Sequence, residues 1–256
     1  MIPISDDNPT LRTPWMTYIL LAGILGTWAL LQRFGFQPMA LAASVCDLGL
    51  VPGEISGQAP LGTAVELGNG LACVVDAEPI NRWTPLTSMF LHGGWMHLVG
   101  NVLFFWVFGN NVEDSMGRFR FLVFYLLCGF AAAFAQVWSS PASPIPMVGA
   151  SGAISGIMGA YLILYPRVRV NMLFFFFIFV RVIPLPAWMV LLWWFGIQLT
   201  ALPSFAADIG GGVAVWAHIG GFVAGIVLIK LFERGDWVRE REVLRIDRHP
   251  ERYPNT

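Results

Sequence analysis

Charged residues are scarce in this sequence of 256 residues. Asp, Glu, Lys and Arg together make up 12% of it, about half the share found in a typical soluble domain. Lysine occurs once, at Lys230, and the net charge is -1, so the basic surface that binds nucleic acid is missing. Hydrophobic residues make up 56%. The composition excludes an ordinary soluble domain and predicts a protein embedded in a lipid bilayer, with no nucleic-acid partner.

Cysteine is also rare, with three residues at Cys46, Cys73 and Cys128. No pair has the C-x-x-C spacing of a zinc site and no histidine is near, so neither a metal nor another cofactor is predicted. Cys128 lies in an apolar run, where a packing role is typical. Cys46 and Cys73 share one long loop, and the sequence leaves open whether they form a disulfide there.

Long apolar runs provide the main structural signal. A helix needs about 20 residues to cross a bilayer core of about 30 Å, and six runs approach that length. They cover residues 15–31, 95–111, 119–138, 151–165, part of 172–202, and 213–232. The sequence therefore predicts an all-α, polytopic membrane protein with a bundle of six transmembrane helices.

The fifth apolar region is the least regular. Residues 172–180 are apolar, Arg181, Pro184 and Pro186 interrupt them, and residues 187–202 are apolar again. The whole region is too long for one span and too short for two. We expect one span after Pro186, and a seventh span or a re-entrant segment is the alternative.

Positive charges divide the loops into two sets and predict the orientation. Most Arg residues and Lys230 lie before the first run, after the second and fourth runs, or after the sixth, whereas Arg33 and Arg82 lie on the other side. This asymmetry places both termini in the cytoplasm, as in a multi-pass protein of a bacterial inner membrane. The predicted organisation is a cytoplasmic segment 1–14, a membrane domain 15–232 with a long outer loop 32–83, and a charged, solvated cytoplasmic tail 233–256.

The first apolar run has a second interpretation. It can be read as a cleaved signal peptide, because Ala40-Leu41-Ala42 resembles a cleavage site. Against this, residues 1–14 contain one Arg and two Asp, and the site lies well past the apolar run. The orientation of the other spans is the same in both interpretations.

Four polar residues lie near the starts of predicted spans: His97, Asn101, Ser151 and His218. Polar groups inside spans are costly and tend to serve function. The second, fourth and sixth spans all enter from the outer face, so these residues should lie at a similar depth. A metal site formed by the histidines, His92 included, is the alternative, but no Asp, Glu or Cys has the spacing that would complete it.

Ser151 lies in the segment Gly149-Ala150-Ser151-Gly152, at the start of the fourth run. The start of a helix presents backbone N–H groups and the positive end of the helix dipole. Both suit a developing oxyanion, whereas the simpler interpretation of Ser151 is a helix N-cap.

Stripes of small residues predict how the fourth and sixth helices pack. Glycines at helical spacing lie on the faces that carry Ser151 and His218: Gly152, Gly156, Gly159, Gly221 and Gly225. Such stripes let helices approach closely in lipid. They therefore predict a contact between the hydroxyl of Ser151 and the imidazole of His218, which is the minimum for nucleophilic catalysis.

His97 and Asn101 are four residues apart and share one face of the second helix. Both side chains donate hydrogen bonds, which suits an oxyanion hole. We interpret them as candidate donors to a negatively charged intermediate.

Three segments combine into one ordered pattern. Residues 92–101 contain H-x-x-x-N with a preceding histidine, residues 149–152 read G-x-S-G, and residues 217–225 read A-H-x-x-G-x-x-x-G. These resemble the second-helix, nucleophile and sixth-helix motifs of the rhomboid family of intramembrane serine proteases. The resemblance extends over residues 82–231.

The resemblance implies proteolysis of single-span membrane proteins within the bilayer, without a cofactor. Ser151 would be the nucleophile, His218 the general base, and His97, Asn101 and the Ser151 backbone N–H the oxyanion hole. No acidic third member is expected beside His218. Ser155 stands where some relatives carry an aromatic residue against the histidine, which leaves the orientation of His218 open.

Two other functions compete with proteolysis. A non-catalytic relative that binds membrane proteins in quality control or trafficking would lack the serine or the histidine, and both are present. A small transporter or channel would need a polar path to the inner face, but the ionisable residues within the predicted spans cluster on the outer side. The predicted function is therefore that of an intramembrane serine endopeptidase.

Overall fold

Helices make up most of the computed structural model, which describes residues 2–68, 70–76, 81–176, 179–205 and 214–248. The helices are α1 (Trp15–Leu30), α2 (Pro38–Leu48), α3 (Pro52–Ser56), α4 (Thr84–Thr87), α5 (Trp95–Met116), α6 (Arg118–Ser139), α7 (Ser151–Leu164), α8 (Ala187–Phe205), α9 (Val215–Phe232) and α10 (Gly235–Arg248), with short 3-10 turns at Arg33–Gly35 and Ser88–Phe90. The strands are β1 (Ile2–Asp6), β2 (Ala64–Gly68), β3 (Leu71–Val74), β4 (Arg169–Phe176) and β5 (Phe179–Pro186). The all-α prediction is therefore right for most of the chain but misses two small sheets.

Helix α7 lies at the centre of the bundle, and residues 152–161 are all buried. Helices α6 and α9 pack closely on it because glycine lies at the points of contact. A methyl group added to Gly152 would meet the side chain of Ala132 on α6, and one added to Gly225 of α9 would meet the backbone of Gly156. Contact between backbones at this range needs residues without a Cβ atom.

Two helices in the described part of the chain, α6 and α9, are both long and apolar enough to cross a membrane. Helices α1, α2 and α7 and the segment Ala187–Thr200 of α8 are apolar but shorter. Helix α5 has 22 residues, but its last turns include Glu113 and Asp114. Six helices thus occupy the places of the six predicted runs, while length and composition alone do not establish six spans.

The region before α8 is a β-hairpin, which the sequence analysis does not predict. Strands β4 and β5 pair antiparallel along their full length; residues 177 and 178 lie outside the described residues. Strand β1 adds to β4, with Ile2 opposite Leu173. Pro184 and Pro186 fit this arrangement because β5 is an edge strand, where proline is tolerated. Helix α8 begins directly after the hairpin, as predicted.

The predicted outer loop, residues 32–83, contains helices α2 and α3 and the hairpin β2–β3. A disulfide joins Cys46 of α2 to Cys73 of β3, with their Cα atoms 5.3 Å apart. Of the two alternatives that the sequence leaves open, the structure has the disulfide. Cys128 is a free cysteine and is fully buried in α6, as expected for a packing residue.

Helix α10 packs back against the end of the bundle that lies away from Ser151. Arg241 is fully buried and pairs with Asp114 of α5, which also lies 3.4 Å from the guanidinium of Arg12. Arg241 and Arg245 are buried, whereas Arg239, Glu240, Glu242 and Val243 are exposed. The expected solvated tail thus describes one face of α10, and the ion pair of Arg241 with Asp114 holds its other face against the bundle. Residues 249–256 lie outside the described residues.

Candidate active site

The hydroxyl of Ser151 and the imidazole of His218 are in direct contact. His218 Nε2 lies 2.7 Å from Ser151 Oγ. Ser151 is the first residue of α7, and His218 lies one turn into α9 and is buried. The two helices bring them together because Gly221 of α9 packs against the carbonyl group of Gly152. A serine hydroxyl with a base at hydrogen-bond distance is the arrangement that nucleophilic catalysis requires.

Two residues of α8 contact the other side of His218. Gln198 is buried, and its Oε1 lies 2.8 Å from His218 Nδ1. One turn earlier, the ring centre of Trp194 lies 5.7 Å from that of the imidazole. The sequence analysis missed both, although Gln198 is visible as a polar residue within an apolar run. The aromatic neighbour that Ser155 does not supply from α7 thus comes from α8.

His97 and Asn101 lie beside the backbone that leads into Ser151. A Cβ atom on Gly149 would be 2.6 Å from His97 Nε2 and 3.5 Å from Asn101 Nδ2. Gly149 has φ of +124°, a conformation that residues with side chains rarely adopt. Asn101 Nδ2 is buried and has no hydrogen-bond partner among the described residues. A buried donor without a partner is costly, and at this position it can serve an oxyanion.

The loop before α5 sets the orientation of His97. The Gly93 N–H donates to His97 Nδ1 over 3.4 Å, so Nε2 carries the proton and is the donor on the side of Gly149. The backbone of His92 is held in turn by both ends of the Gln32 side-chain amide, at 2.8 and 2.9 Å. These two bonds fix the backbone of the loop at His92, whose ring nitrogens are buried and have no hydrogen-bond partner among the described residues.

No group of three or more His, Cys, Asp or Glu side chains comes together in the described part of the chain in a way that could hold a metal ion. His92 and His97 are neighbours, with ring centres 5.1 Å apart.

A small cavity opens beside Ser151. Its lining is mostly small or apolar: Pro85, Ser88, Met89, Gly129, Ala132, Met147, Val148, Gly149, Gly152, Ala153, Ala214 and Ala217. These residues come from α4, the 3-10 turn after it, α6, the loop before α7, α7 itself, and the start of α9 with the residue before it. The cavity suits a small apolar group placed next to the serine hydroxyl.

The chain is similar to several known proteins. Residues 80–234 match the family model of the rhomboid domain. The chain is 29% identical over 207 residues to RHOMBOID-like protein 6, mitochondrial, of Arabidopsis thaliana (78% of this chain, 55% of that protein). It is 28% identical over 239 residues to Presenilin-associated rhomboid-like protein A, mitochondrial, of Danio rerio (85% and 58%). It is 45% identical over 80 residues to Rhomboid protease GluP of Bacillus subtilis (strain 168) (31% and 15%). The chain therefore spans from 15% to 58% of the length of these relatives.

Proposed function

Because this chain belongs to the rhomboid family of membrane-embedded proteins, we propose that it is an intramembrane serine endopeptidase. Its substrates are single-span membrane proteins, which it cleaves within their transmembrane segments. The contact of 2.7 Å between His218 Nε2 and Ser151 Oγ carries this proposal. The proposed reaction uses no cofactor.

Ser151 is the nucleophile and His218 the general base in the proposed mechanism. Ser151 Oγ attacks the scissile carbonyl carbon, and its proton passes to His218 Nε2, which later protonates the leaving amine. Water then hydrolyses the acyl-enzyme with the same base. The oxyanion accepts hydrogen bonds from the Ser151 backbone N–H, His97 Nε2 and Asn101 Nδ2. This role is supported by the position of His97 and Asn101 beside Gly149 and by the unpaired Nδ2 of Asn101.

The substrate must expose one peptide bond to Ser151. Backbone groups in lipid are satisfied within a helix, so a transmembrane segment has to unwind locally before the attack. The cavity beside Ser151, lined by Met89, Gly129 and Ala153 among others, supports a preference for a small side chain at the cleavage position.

We place six spans in the membrane, namely α1, α5, α6, α7, α8 and α9, as a membrane domain of residues 15–232. Residues 1–14 and 233–256 lie on the cytoplasmic side, and the loop 32–83 lies outside. The distribution of Arg residues supports this orientation, as does the Cys46–Cys73 disulfide, since disulfides persist in oxidising compartments. We propose a bacterial inner membrane as the location, whereas two of the relatives above are mitochondrial by name.

The test is cleavage of a single-span substrate by the purified full chain in liposomes. Wild type is compared with Ser151→Ala and His218→Ala, and with Ser139→Ala as a matched control. Ser139 lies at the end of α6, where its hydroxyl donates to the Gln136 carbonyl. We expect wild type and the control to cleave, and both dyad variants to lose activity to the limit of detection while keeping the unfolding temperature of wild type.

If all four proteins cleave at the same rate, Ser151 and His218 are packing residues and not the catalytic dyad. If none of them cleaves, the second function, a non-catalytic member of the family that binds membrane proteins, is favoured. Substrate co-purification without cleavage would support that second function.

A further inference from the structure

His218 needs a partner at Nδ1 if Nε2 is to take the proton of Ser151. A neutral imidazole carries one proton, and Nε2 is an acceptor only when that proton is on Nδ1. In a Ser-His-Asp triad a carboxylate holds the Nδ1 proton and orients the ring. Among the described residues no carboxylate contacts His218, and the atom at Nδ1 is Gln198 Oε1, 2.8 Å away.

We propose that Gln198 is a positioning residue for His218, so that the site is a Ser151–His218–Gln198 triad with an uncharged third member. The inference rests on the proposed function, because it assigns Gln198 a part in the same proton transfer. It adds a residue from α8 to a site otherwise formed by α5, α7 and α9.

Helix α8 holds the imidazole ring at two places. Gln198 contacts its edge at Nδ1, and Trp194, one turn earlier on the same face of α8, lies against the ring at an interplanar angle of 42°. Phe195 stacks on Phe222 of α9 with ring centres 4.6 Å apart. These aromatic contacts fix the position of α8 against α9. The amide of Gln198 therefore lies in one position beside Nδ1.

Only one orientation of the Gln198 amide is compatible with a base at Nε2. An amide oxygen facing Nδ1 accepts a hydrogen bond from the ring N–H, which leaves Nε2 free to accept a hydrogen bond from the Ser151 hydroxyl. An NH₂ group at the same place would put the ring proton on Nε2, facing the hydroxyl that has to be deprotonated. Since the orientation of an amide is assigned from its hydrogen bonds, the two cases are separated by locating the proton on His218.

An amide suits this position better than a carboxylate. Gln198 is 9% exposed, and one turn before it Trp194 of α8 lies against Phe222 of α9. A carboxylate at this place would keep the same hydrogen-bond partner but would carry a charge, whose burial costs more than that of an amide. A neutral acceptor fixes the tautomer and orientation of His218 without that cost.

Two variants of Gln198 and one control test the inference. Gln198→Leu removes the acceptor at similar size, and Gln198→Glu retains an oxygen at the same place. Thr200→Val removes a polar group from the exposed face of the same helix, where Thr200 bonds the Ile197 carbonyl at 2.8 Å. All are assayed beside Ser151→Ala in liposomes.

We expect Gln198→Leu to lower kcat roughly 10- to 100-fold with little change in KM or unfolding temperature, since general base catalysis contributes about 10²–10⁴-fold. Gln198→Glu should recover most of kcat, and Thr200→Val should match wild type.

Nitrogen NMR of the histidine-labelled protein locates the ring proton without needing turnover. The signal of His218 is identified by its loss in His218→Ala. We expect the proton on Nδ1 in wild type and a mixture of tautomers in Gln198→Leu. A proton on Nε2 in wild type, a kcat of Gln198→Leu within twofold of wild type, or no recovery with Gln198→Glu would each overturn the inference. Cleavage that persists in Ser151→Ala would instead overturn the proposed function, and the NMR result would still decide the role of Gln198.

Discussion

At the end of α7 away from Ser151, the carboxyl group of Asp6 is enclosed by side chains from α5, α7 and α10. It accepts hydrogen bonds from Asn111 Nδ2, at 2.7 Å, and from the hydroxyl of Tyr161. Burial raises the pKa of Asp6 to about 7, and the Tyr161 hydrogen bond and the charge of Arg241 oppose this effect only in part. The ordinary value is 3.8. Between about pH 4 and pH 7 the folded protein therefore holds a proton that the unfolded chain has released.

We predict that Asp6→Asn weakens the pH dependence of stability. The contribution from the Asp6 proton is present in full below about pH 4 and is lost as the pH rises through 7, because a raised pKa in the folded state favours the protonated form. The slope attributable to one such group is at most about 1.4 kcal/mol per pH unit. Thermal unfolding in detergent from pH 5 to pH 8 should show a larger fall for wild type than for Asp6→Asn. Parallel curves for the two proteins would contradict the prediction.

Helices α7 and α9 are held together by the backbone of their glycines rather than by large side chains. An added methyl group on Gly225 would collide with the backbone of Gly156, and one on Gly221 with that of Gly152. Neither neighbour is the flexible end of a side chain, so the helices themselves have to move apart. The distance between Ser151 and His218 depends on this contact.

We predict that Gly225→Ala lowers both stability and cleavage activity. Overpacking at a close contact costs about 1–3 kcal/mol, and the displacement of α9 moves His218 away from Ser151. Gly196→Ala on α8 is the control, because a Cβ atom there has nothing within 4 Å and alanine favours the helix. The unfolding temperature and the cleavage rate of Gly225→Ala and Gly196→Ala are measured in the same detergent and compared. Equal behaviour of Gly225→Ala and Gly196→Ala would show that α7 and α9 tolerate separation.

The convergence of Ser151, His218, His97 and Asn101 is predictable because each lies close to a helix start and the distribution of positive charges predicts that these helices enter from the same side. The hairpin of β4 and β5 is not, because a short apolar run has no periodicity that separates strand from helix. The contact of Gln198 with His218 depends on how α8 is rotated. Since α8 is apolar on most of its surface, its sequence pattern does not determine that rotation.

Across the whole molecule the two ends of the bundle are closed in different ways. On the side of Ser151, the Cys46–Cys73 disulfide joins α2 to the β2–β3 hairpin. On the opposite side, ion pairs between Arg241, Asp114 and Arg12 join α10 to α5 and to the segment before α1. Disulfides persist in oxidising compartments, which agrees with the proposed position of the loop 32–83 outside the membrane.

We predict that an alkylating reagent labels one thiol per chain when it is present from lysis onward and the protein is then denatured without reductant. That thiol is Cys128, and reduction should raise the count to the three cysteines of the sequence. Mass spectrometry of the alkylated protein provides the count. Three thiols without reductant would contradict both the disulfide and the outside position of the loop 32–83.

During synthesis, strand β1 emerges long before β4, the strand with which it pairs. Ser5 of β1 and Asn171 of β4 are 166 residues apart, and a ribosome adds about 5–20 residues per second. Residues 2–6 therefore spend roughly 8 to 33 seconds without their sheet. Arg241, which pairs with Asp114, follows later still, after Ser151 and His218 have both been translated. The ion pair at the far end of α7 therefore forms only after both residues of the proposed catalytic dyad have been translated.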